Sequence, residues 1–426
     1  MNILVVGGGG REHAICRALS KSEKCKKLYC APGNAGISEL AECVPIGAME
    51  FDKLVEFAKD NKIDLTIIGM DDPLAGGIVD KFEEAGLRVF GPEKKAAILE
   101  ASKAFSKDLM KKYGIPTAAY ETFTDIDEAY SYVRTCNLPV VVKASGLALG
   151  KGVLICKTRE DALDAVTELM KDKKFGDAGN TLVIEEFLEG REVSVLSFVD
   201  GKTIKIMSSA QDHKRAKDHD QGLNTGGMGN FSPSPFYTDE IHDYCMKNIY
   251  QKTVDAMRLE GREFKGVIFF GLMLTKDGPK VLEYNVRFGD PEAEVVLPRM
   301  ENDLLDVMEH CIDGTLDQVD LKFRKEACVT VILASDGYPV SYKKGFKIKG
   351  LEKFKGKTAD DYYCYHCGTK FDEKGNVVTA GGRVLAVTAL GKNLTEARAK
   401  AYEATDWIDF ENKYMRHDIA DSVKGY

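Results

Sequence analysis

The stretch Val281-Leu-Glu-Tyr-Asn-Val-Arg-Phe-Gly-Asp-Pro-Glu292 opens as a β-strand. Successive side chains of a strand point to opposite faces, so Glu283, Asn285 and Arg287 are expected on one face and Leu282, Tyr284 and Val286 on the other. A carboxylate and an amide oxygen side by side are hard ligands, suited to a divalent cation that also binds phosphates. An arginine one step further can grip a phosphate or an acyl phosphate through its planar fork. An amphipathic edge strand would show the same alternation, so the neighbouring segments decide between the two readings.

Before that stretch, Gln211-Asp-His-Lys-Arg215 is more polar than its surroundings, and Asn224-Thr-Gly-Gly-Met-Gly229 follows. A run rich in glycine exposes backbone donors, as anion sites do. The charged part Ala216 to Gln221 reads as a flexible surface loop. Further upstream, Pro139 to Ala144 is an apolar strand containing Lys143, followed by the tip Ser145-Gly-Leu-Ala-Leu-Gly-Lys-Gly152 and the strand Val153 to Cys156. Gly146, Gly150 and Gly152 allow close backbone approach to a ligand. This is not a P-loop, because Gly follows the lysine and a strand follows the loop. A charged group in an apolar strand wants a partner, which favours a ligand beside Lys143. Thr181 to Leu188 is a strand ending in Glu185, Glu186, Phe187 and Leu188. Its backbone can hold a base edge, and an acid nearby can take ribose hydroxyls.

The chain opens with the strand Asn2 to Val6, the loop Gly7 to Gly10 and a helix from Arg11 to Leu19, a doubly wound beginning whose helix N-terminus suits an anion. Glu12 stands where a dinucleotide fingerprint needs its third glycine, so a sugar phosphate is expected rather than NAD. Strands at Ile63 to Ile68 and Arg88 to Phe90, with the helix Phe51 to Lys59 between, continue an α/β unit to about residue 100. One helix is expected from Pro92 to Gly114, with Lys103, Lys107 and Lys111 on its solvated face. Ala327 to Ala334 and Val384 to Leu390 read as strands, and Asn393 to Ile408 as a capped helix. This last unit shows no compact catalytic motif.

The 426 residues suggest about three domains. A net charge of −8 argues against nucleic acid or an anionic membrane as partner. Met1 to Gly10 lacks the basic start of a signal peptide, and no apolar run approaches a membrane span. Eleven scattered cysteines point to free thiols in a reducing cytoplasm. Cys364 and Cys367 form a CxxC without a second pair nearby, so a structural zinc is not expected.

Together these segments resemble the ATP-grasp superfamily and, within it, the glycinamide ribonucleotide synthetases. The resemblance runs the length of the chain. It rests on Gly-Gly-Arg-Glu-His at 9–13, Ala-Pro-Gly-Asn-Ala-Gly at 31–36, Ser-Lys-Ala-Phe at 102–105 and Val-Val-Lys-Ala at 141–144. It rests also on Glu-Glu-Phe-Leu at 185–188 and, most specifically, on 211–215, 224–229 and Arg-Phe-Gly-Asp-Pro-Glu at 287–292. It implies an α/β, ATP-grasp fold: a doubly wound substrate domain at 1–102, an ATP-grasp region at 103–327 with a lid near 118–190, and an α+β domain at 328–426. It implies ATP and Mg²⁺ or Mn²⁺ as cofactors, and ligation of glycine to 5-phosphoribosylamine through glycyl phosphate. The alternative is another ATP-grasp carboxylate–amine ligase or a bicarbonate-using purine-pathway carboxylase.

By the same resemblance, Lys103 and Lys143 contact ATP phosphates, Glu185 to Leu188 line the adenine and Glu192 meets the ribose. Glu283 and Asn285 hold the metal, and Arg287 stabilises the acyl phosphate. Gly8, Gly9, Arg11 and Asn34 are expected to hold the ribose phosphate, and Asp212 and Lys214 to orient amine and carboxylate. A monomer without fused later enzymes is expected. The chain departs from the family pattern at Ser145, at Ala216 to Leu223, and at Ala293 and Glu294, where an extra acid is expected near the metal.

Overall fold

The computed structural model describes residues 1–148, 151–355 and 361–425. Its first sheet is built by β1 (Asn2–Gly7), β2 (Lys27–Pro32), β3 (Glu42–Cys43), β4 (Leu65–Ile68) and β5 (Val89–Phe90), in the order β3-β2-β1-β4-β5. All its pairings are parallel. Such a sheet must be covered on both faces, and alternate residues of β1 show how. Ile3 and Val5 enter one hydrophobic core, Leu4 and Val6 another.

A second, antiparallel sheet has the order β6-β9-β7-β8, from Tyr120–Phe123 (β6), Val140–Ala144 (β7), Val153–Cys156 (β8) and Leu182–Glu186 (β9). It has a core of its own, in which Val140, Val142 and Ala144 meet Leu182 and Ile184. Period-two alternation then places Lys143 and Glu185 on the opposite face. A third sheet, β11-β10-β16-β17, joins Ile204–Ile206 (β11), Arg191–Asp200 (β10), Lys265–Thr275 (β16) and Gly278–Asn285 (β17).

The fourth sheet runs β12-β15-β18-β20-β19, with Gln211–Asp212 (β12), Gly229–Ser232 (β15), Ala327–Ser335 (β18), Arg383–Gly391 (β20) and Tyr362–His366 (β19). It therefore mixes strands from the middle and the end of the chain. Its Val329, Val331 and Ala386 share a core with Ile3, Val5 and Phe198 of the other sheets. The short strands β13 (Arg215–Lys217) and β14 (Gln221–Asn224) form a hairpin beside it.

Three sequence expectations change. The single helix from Pro92 to Gly114 is two helices, Lys94–Ala101 and Lys103–Tyr113. Ser102 is extended between them, and its hydroxyl caps the second helix by accepting from the Phe105 amide at 3.2 Å. Lys103 thus starts a helix instead of lying inside one. The flexible loop expected at Ala216 to Gln221 is the tip of the β13–β14 hairpin, gripped by the C-terminal segment. Arg416 reaches Asp220 at 3.0 Å and the Arg215 carbonyl at 3.0 Å, and Asp418 accepts from the His219 amide at 2.8 Å. The strand that carries Glu283 ends at Asn285, so Arg287 lies in the bend after it.

Among the described residues no helix is long and apolar enough to cross a membrane. All eleven cysteines are free thiols.

Candidate active site

β17 is the floor of the site. A bulge at Leu282 breaks its pairing with β16, where Val281 faces Leu272 and Glu283 faces Gly271. A bulge adds one residue and shifts the phase of alternation. Val281 and Tyr284 therefore both enter a core, while Leu282 joins Ala118, Leu188 and Met273 in a small apolar patch. Unbroken alternation puts Leu282 on the same face as Tyr284. Its move leaves an apolar surface next to the polar pair Glu283 and Asn285.

Glu100, from the helix Lys94–Ala101, organises the far end of that strand. Its Oε1 accepts from Asn285 Nδ2 at 3.0 Å and lies 3.1 Å from the Arg287 guanidinium, and its Oε2 accepts from the Val286 amide at 2.7 Å. Asn285 and Arg287 thus converge on one oxygen although the strand has ended between them. With Nδ2 committed to Glu100, Asn285 Oδ1 is the atom left for a cation. The Glu283 carboxyl is held down to about 2, chiefly by Lys214 and further by Lys143, Lys103 and Arg287, against burial. It is ionised at any ordinary pH. An ionised carboxylate beside an amide oxygen fits a hard divalent cation, with the remaining ligands left to phosphates and water.

Cations surround this pair. Lys214 Nζ lies 2.9 Å from Glu192 and 3.4 Å from Glu283. Lys103 Nζ donates to the Gly146 carbonyl at 3.1 Å, and burial lowers its pKa. Lys143 Nζ lies 2.8 Å from Glu185 Oε1 and donates to the Leu282 carbonyl at 3.4 Å. Glu186 accepts from the Ala119 amide at 3.0 Å and faces Lys280 at 3.5 Å. Phe187 is half-buried, and Leu188 is buried within the apolar patch. Gly146 and Gly152 pack tightly: a Cβ on Gly146 would meet Ala178 at 2.7 Å, and one on Gly152 would meet Ala148 at 2.7 Å. Gly150 lies outside the described residues.

Beside Pro291, Asp212 accepts from the amide of His213 at 2.7 Å. Burial and the nearby Glu292 raise its pKa well above the carboxylate range. The glycine run was expected to offer open backbone donors, but the protein uses them. The amides of Thr225, Gly226, Gly227 and Met228 donate to Lys214 O, Tyr338 Oη, Thr225 Oγ1 and His213 O.

The first helix, Gly10–Leu19, also departs from expectation. Its N-terminus is covered by protein carboxylates. The Gly9 amide donates to Glu12 at 2.7 Å, and the Arg11 amide to Asp290 at 3.3 Å. The Arg11 side chain is buried against Glu12 at 2.6 Å and the Phe288 carbonyl at 3.2 Å, so it acts as a strut instead of an open phosphate ligand. Asn34 is equally committed. Its Nδ2 donates to Gly8 O at 2.9 Å and His366 O at 2.7 Å, and its Oδ1 accepts from the amides of Gly36 and Ile37. It ties two loops to the C-terminal unit. Gly8 and Gly9 remain half-exposed at this edge, and a Cβ on Gly8 would strike Gly33 O at 2.6 Å.

Family models for phosphoribosylglycinamide synthetase match three segments: the N domain at residues 1–100, the ATP-grasp (A) domain at 101–293 and the C domain at 328–422. The chain belongs to the phosphoribosylglycinamide synthetase family. It is 49% identical over 419 residues to the phosphoribosylamine–glycine ligase of Halalkalibacterium halodurans, covering 98% of this chain and 96% of that one. The corresponding ligase of Caldanaerobacter subterraneus is 48% identical, with 99% of each chain covered. The crystal structure of phosphoribosylamine–glycine ligase from Thermotoga maritima superposes with a TM-score of 0.85 at 33% identity, over 99% of this chain and 100% of that chain. The fold is that of the ATP-grasp enzymes.

Within this family frame, the extra acid Glu294 falls elsewhere than expected. It is fully buried, and a Cβ on Gly10 would lie 2.4 Å from its Oε1 and 2.8 Å from Cys367 Sγ. It therefore packs at the start of the first helix. Ser145 uses its hydroxyl to accept from the Ala104 amide at 3.1 Å.

Three partners were missed by sequence reasoning. Glu100 had no local signal, since its contacts lie more than 180 residues away. Lys107 was placed on a solvated face but is buried, because the β6-β9-β7-β8 sheet covers that side of its helix. Arg383, in the unit without a motif, lies 2.9 Å from Asp290 and donates to the Gly226 carbonyl at 2.7 Å. It braces the signature loop against the glycine run.

Proposed function

We propose that this protein joins glycine to 5-phosphoribosylamine with hydrolysis of ATP to ADP and phosphate, forming glycinamide ribonucleotide through glycyl phosphate in de novo purine synthesis. The observation that carries this reading is the convergence of Lys103, Lys143, Lys214 and Arg287 on the Glu283–Asn285 pair, beside an apolar patch. A carboxylate is a poor electrophile, so one of its oxygens must become a leaving group. The glycine carboxylate attacks the γ-phosphorus of ATP, and the P–O bond to ADP breaks. The amine of phosphoribosylamine then attacks the acyl carbon, phosphate leaves, and the amine gives up a proton.

Each part of the cleft has a task in this scheme. Leu188, Leu282 and Met273 offer a surface for adenine, with Glu186 and Phe187 at its edge and Glu192 toward the ribose. Lys103 and Lys143 neutralise phosphate oxygens, and Arg287 holds the transferring group with a fork that Glu100 keeps in place. Glu283 and Asn285 would hold Mg²⁺ or Mn²⁺, which when bound spreads phosphate charge during transfer. Lys214 and Asp212 are assigned to the glycine carboxylate and the incoming amine. A carboxyl with a raised pKa, as at Asp212, suits a proton acceptor. Gly8 and Gly9 are assigned to the ribose phosphate.

The separate core of the β6-β9-β7-β8 sheet supports a lid near residues 118–190, between a substrate domain at 1–102 and a C-terminal domain at 328–426. Free cysteines throughout support a cytoplasmic setting.

Phosphate release tests the reading. With ATP, Mg²⁺, glycine and freshly made phosphoribosylamine it should be fast, and omission of any one should abolish most of it. Equal rates with bicarbonate in place of glycine would overturn the assignment.

A further inference from the structure

Lys107 is sealed inside the protein, with 2% of its side chain exposed. Its Nζ donates to Thr117 Oγ1 at 2.7 Å, and Thr117 in turn donates its only hydroxyl proton to the Val281 carbonyl at 2.7 Å. The same Nζ lies 3.1 Å from Glu185 Oε2. The other oxygen, Glu185 Oε1, lies 2.8 Å from Lys143 Nζ. Two ammonium groups therefore flank one buried carboxylate, each on its own oxygen. The three side chains come from the helix Lys103–Tyr113, from β9 and from β7.

Charge decides what this arrangement does. With both lysines protonated the trio carries one net positive charge. If Lys107 were neutral, Glu185 would cancel Lys143 alone, and a polyanion beside Lys143 would meet a neutral trio. Lys107 cannot reach such a ligand itself, because Glu185 stands between it and Lys143. We propose that Lys107 is a positioning residue for the nucleotide: by sharing Glu185 it leaves the Lys143 ammonium free to attract the ATP phosphates. This rests on the reading of the cleft as an ATP site.

The trio also makes nucleotide binding depend on pH. Burial pushes the Lys107 ammonium down to about 8, with Lys143 adding to the fall and Glu185 and Glu186 opposing it. The Tyr120 ring faces it from β6, 5.8 Å from Nζ, and that tyrosine's hydroxyl is bonded to Asp108 on Lys107's own helix. Lys103 and Lys111 share that helix. Glu283 on β17 pairs electrostatically with Lys143 and Lys103. As pH rises through about 8, Lys107 loses its proton and ATP affinity should fall.

Calorimetric titration with ATP·Mg²⁺ between about pH 7 and 9.5 tests this, a range over which the ATP phosphates stay fully ionised. The wild type should weaken by roughly tenfold across it, in keeping with about one pKa unit of coupling. Lys107→Met should be weaker by about that factor already at neutral pH, with a flat profile. Lys107→Arg, which stays charged throughout, should bind tightly up to the alkaline end. A Lys107→Met protein with wild-type affinity, or one that keeps the wild-type pH profile, would assign the effect to Lys103 and overturn the proposal alone. A flat profile in the wild type would overturn it without any variant. Absence of ATP·Mg²⁺ binding by the wild type would overturn the nucleotide reading together with it.

Discussion

Glu100 Oε1 sits 3.1 Å from the Arg287 guanidinium and accepts from Asn285 Nδ2 at 3.0 Å, so one carboxylate oxygen fixes both residues. Glu100→Gln keeps the volume but puts an amide among donors. Its single oxygen can serve either Asn285 and Arg287 or the Val286 amide, so a donor is left facing a donor in both orientations and the negative charge opposite Arg287 is gone. The expected result is a drop in kcat of about tenfold or more, a loss near 1.4 kcal/mol of transition-state stabilisation. KM for ATP should change less, and added metal should not restore the rate. Steady-state kinetics on the folded variant checks this, and an unchanged kcat would leave Glu100 as a purely structural residue.

Glu283 and Arg287 should fail in different ways. Glu283→Gln removes the charge assigned to the metal, so its defect should shrink at high Mg²⁺ or with Mn²⁺. Arg287→Lys keeps charge but loses the fork, and its kcat should fall by about tenfold with no metal rescue. Metal titrations of both variants separate the roles. Rescue of the arginine variant alone would mean that they are reversed.

Lys214 competes with any cation on Glu283, being 3.4 Å from it. Lys214→Met should therefore tighten nucleotide-free Mn²⁺ binding by about fivefold, as expected for roughly 1 kcal/mol of lost competition, while lowering turnover. Electron paramagnetic resonance of free Mn²⁺ measures the first effect. Mn²⁺ affinity equal to wild type would show that the ammonium does not obstruct the metal position.

Glu294 is buried, and neither of its carboxyl oxygens has a hydrogen-bond partner among the described residues. Burial and Asp290 push its pKa well above the ordinary value of 4.5. A folded-state pKa above the unfolded one means that the folded protein holds the proton more tightly. Its contribution is fully present below about 4.5 and is lost as pH rises toward the folded value. Glu294→Gln removes this loss. The variant should melt higher than wild type at pH 8, and the gap should close as pH approaches 4.5. Melting curves at several pH values check it, and a gap independent of pH would show that Glu294 does not carry that proton.

The parts of the site that could be read in the sequence are local. Glu283 and Asn285 are two apart on a strand, and alternation alone puts them together. Lys143 stood out because it is charged inside an apolar run. Arg287 was placed with them on the assumption that the strand continued. It ends instead, and Glu100, from a distant helix, gathers both side chains. Lys107 was misread because helix periodicity tells which residues share a face but says nothing of what covers that face. The amides of the glycine run and the side chain of Asn34 looked free because their partners, such as Tyr338 and His366, lie far along the chain. Fold class was legible for the same reason in reverse, since strand, glycine loop and helix are sequential.

The C-terminal grip on the cleft has a bearing on how the protein is made. Arg383 braces Asp290 from 93 residues downstream, and Asp418 holds the His219 amide from 199 residues downstream. On the ribosome, the groups assigned to chemistry all emerge before these C-terminal braces. A nascent chain can thus carry every one of those groups and still lack their arrangement, so activity should begin only after Asp418 has emerged.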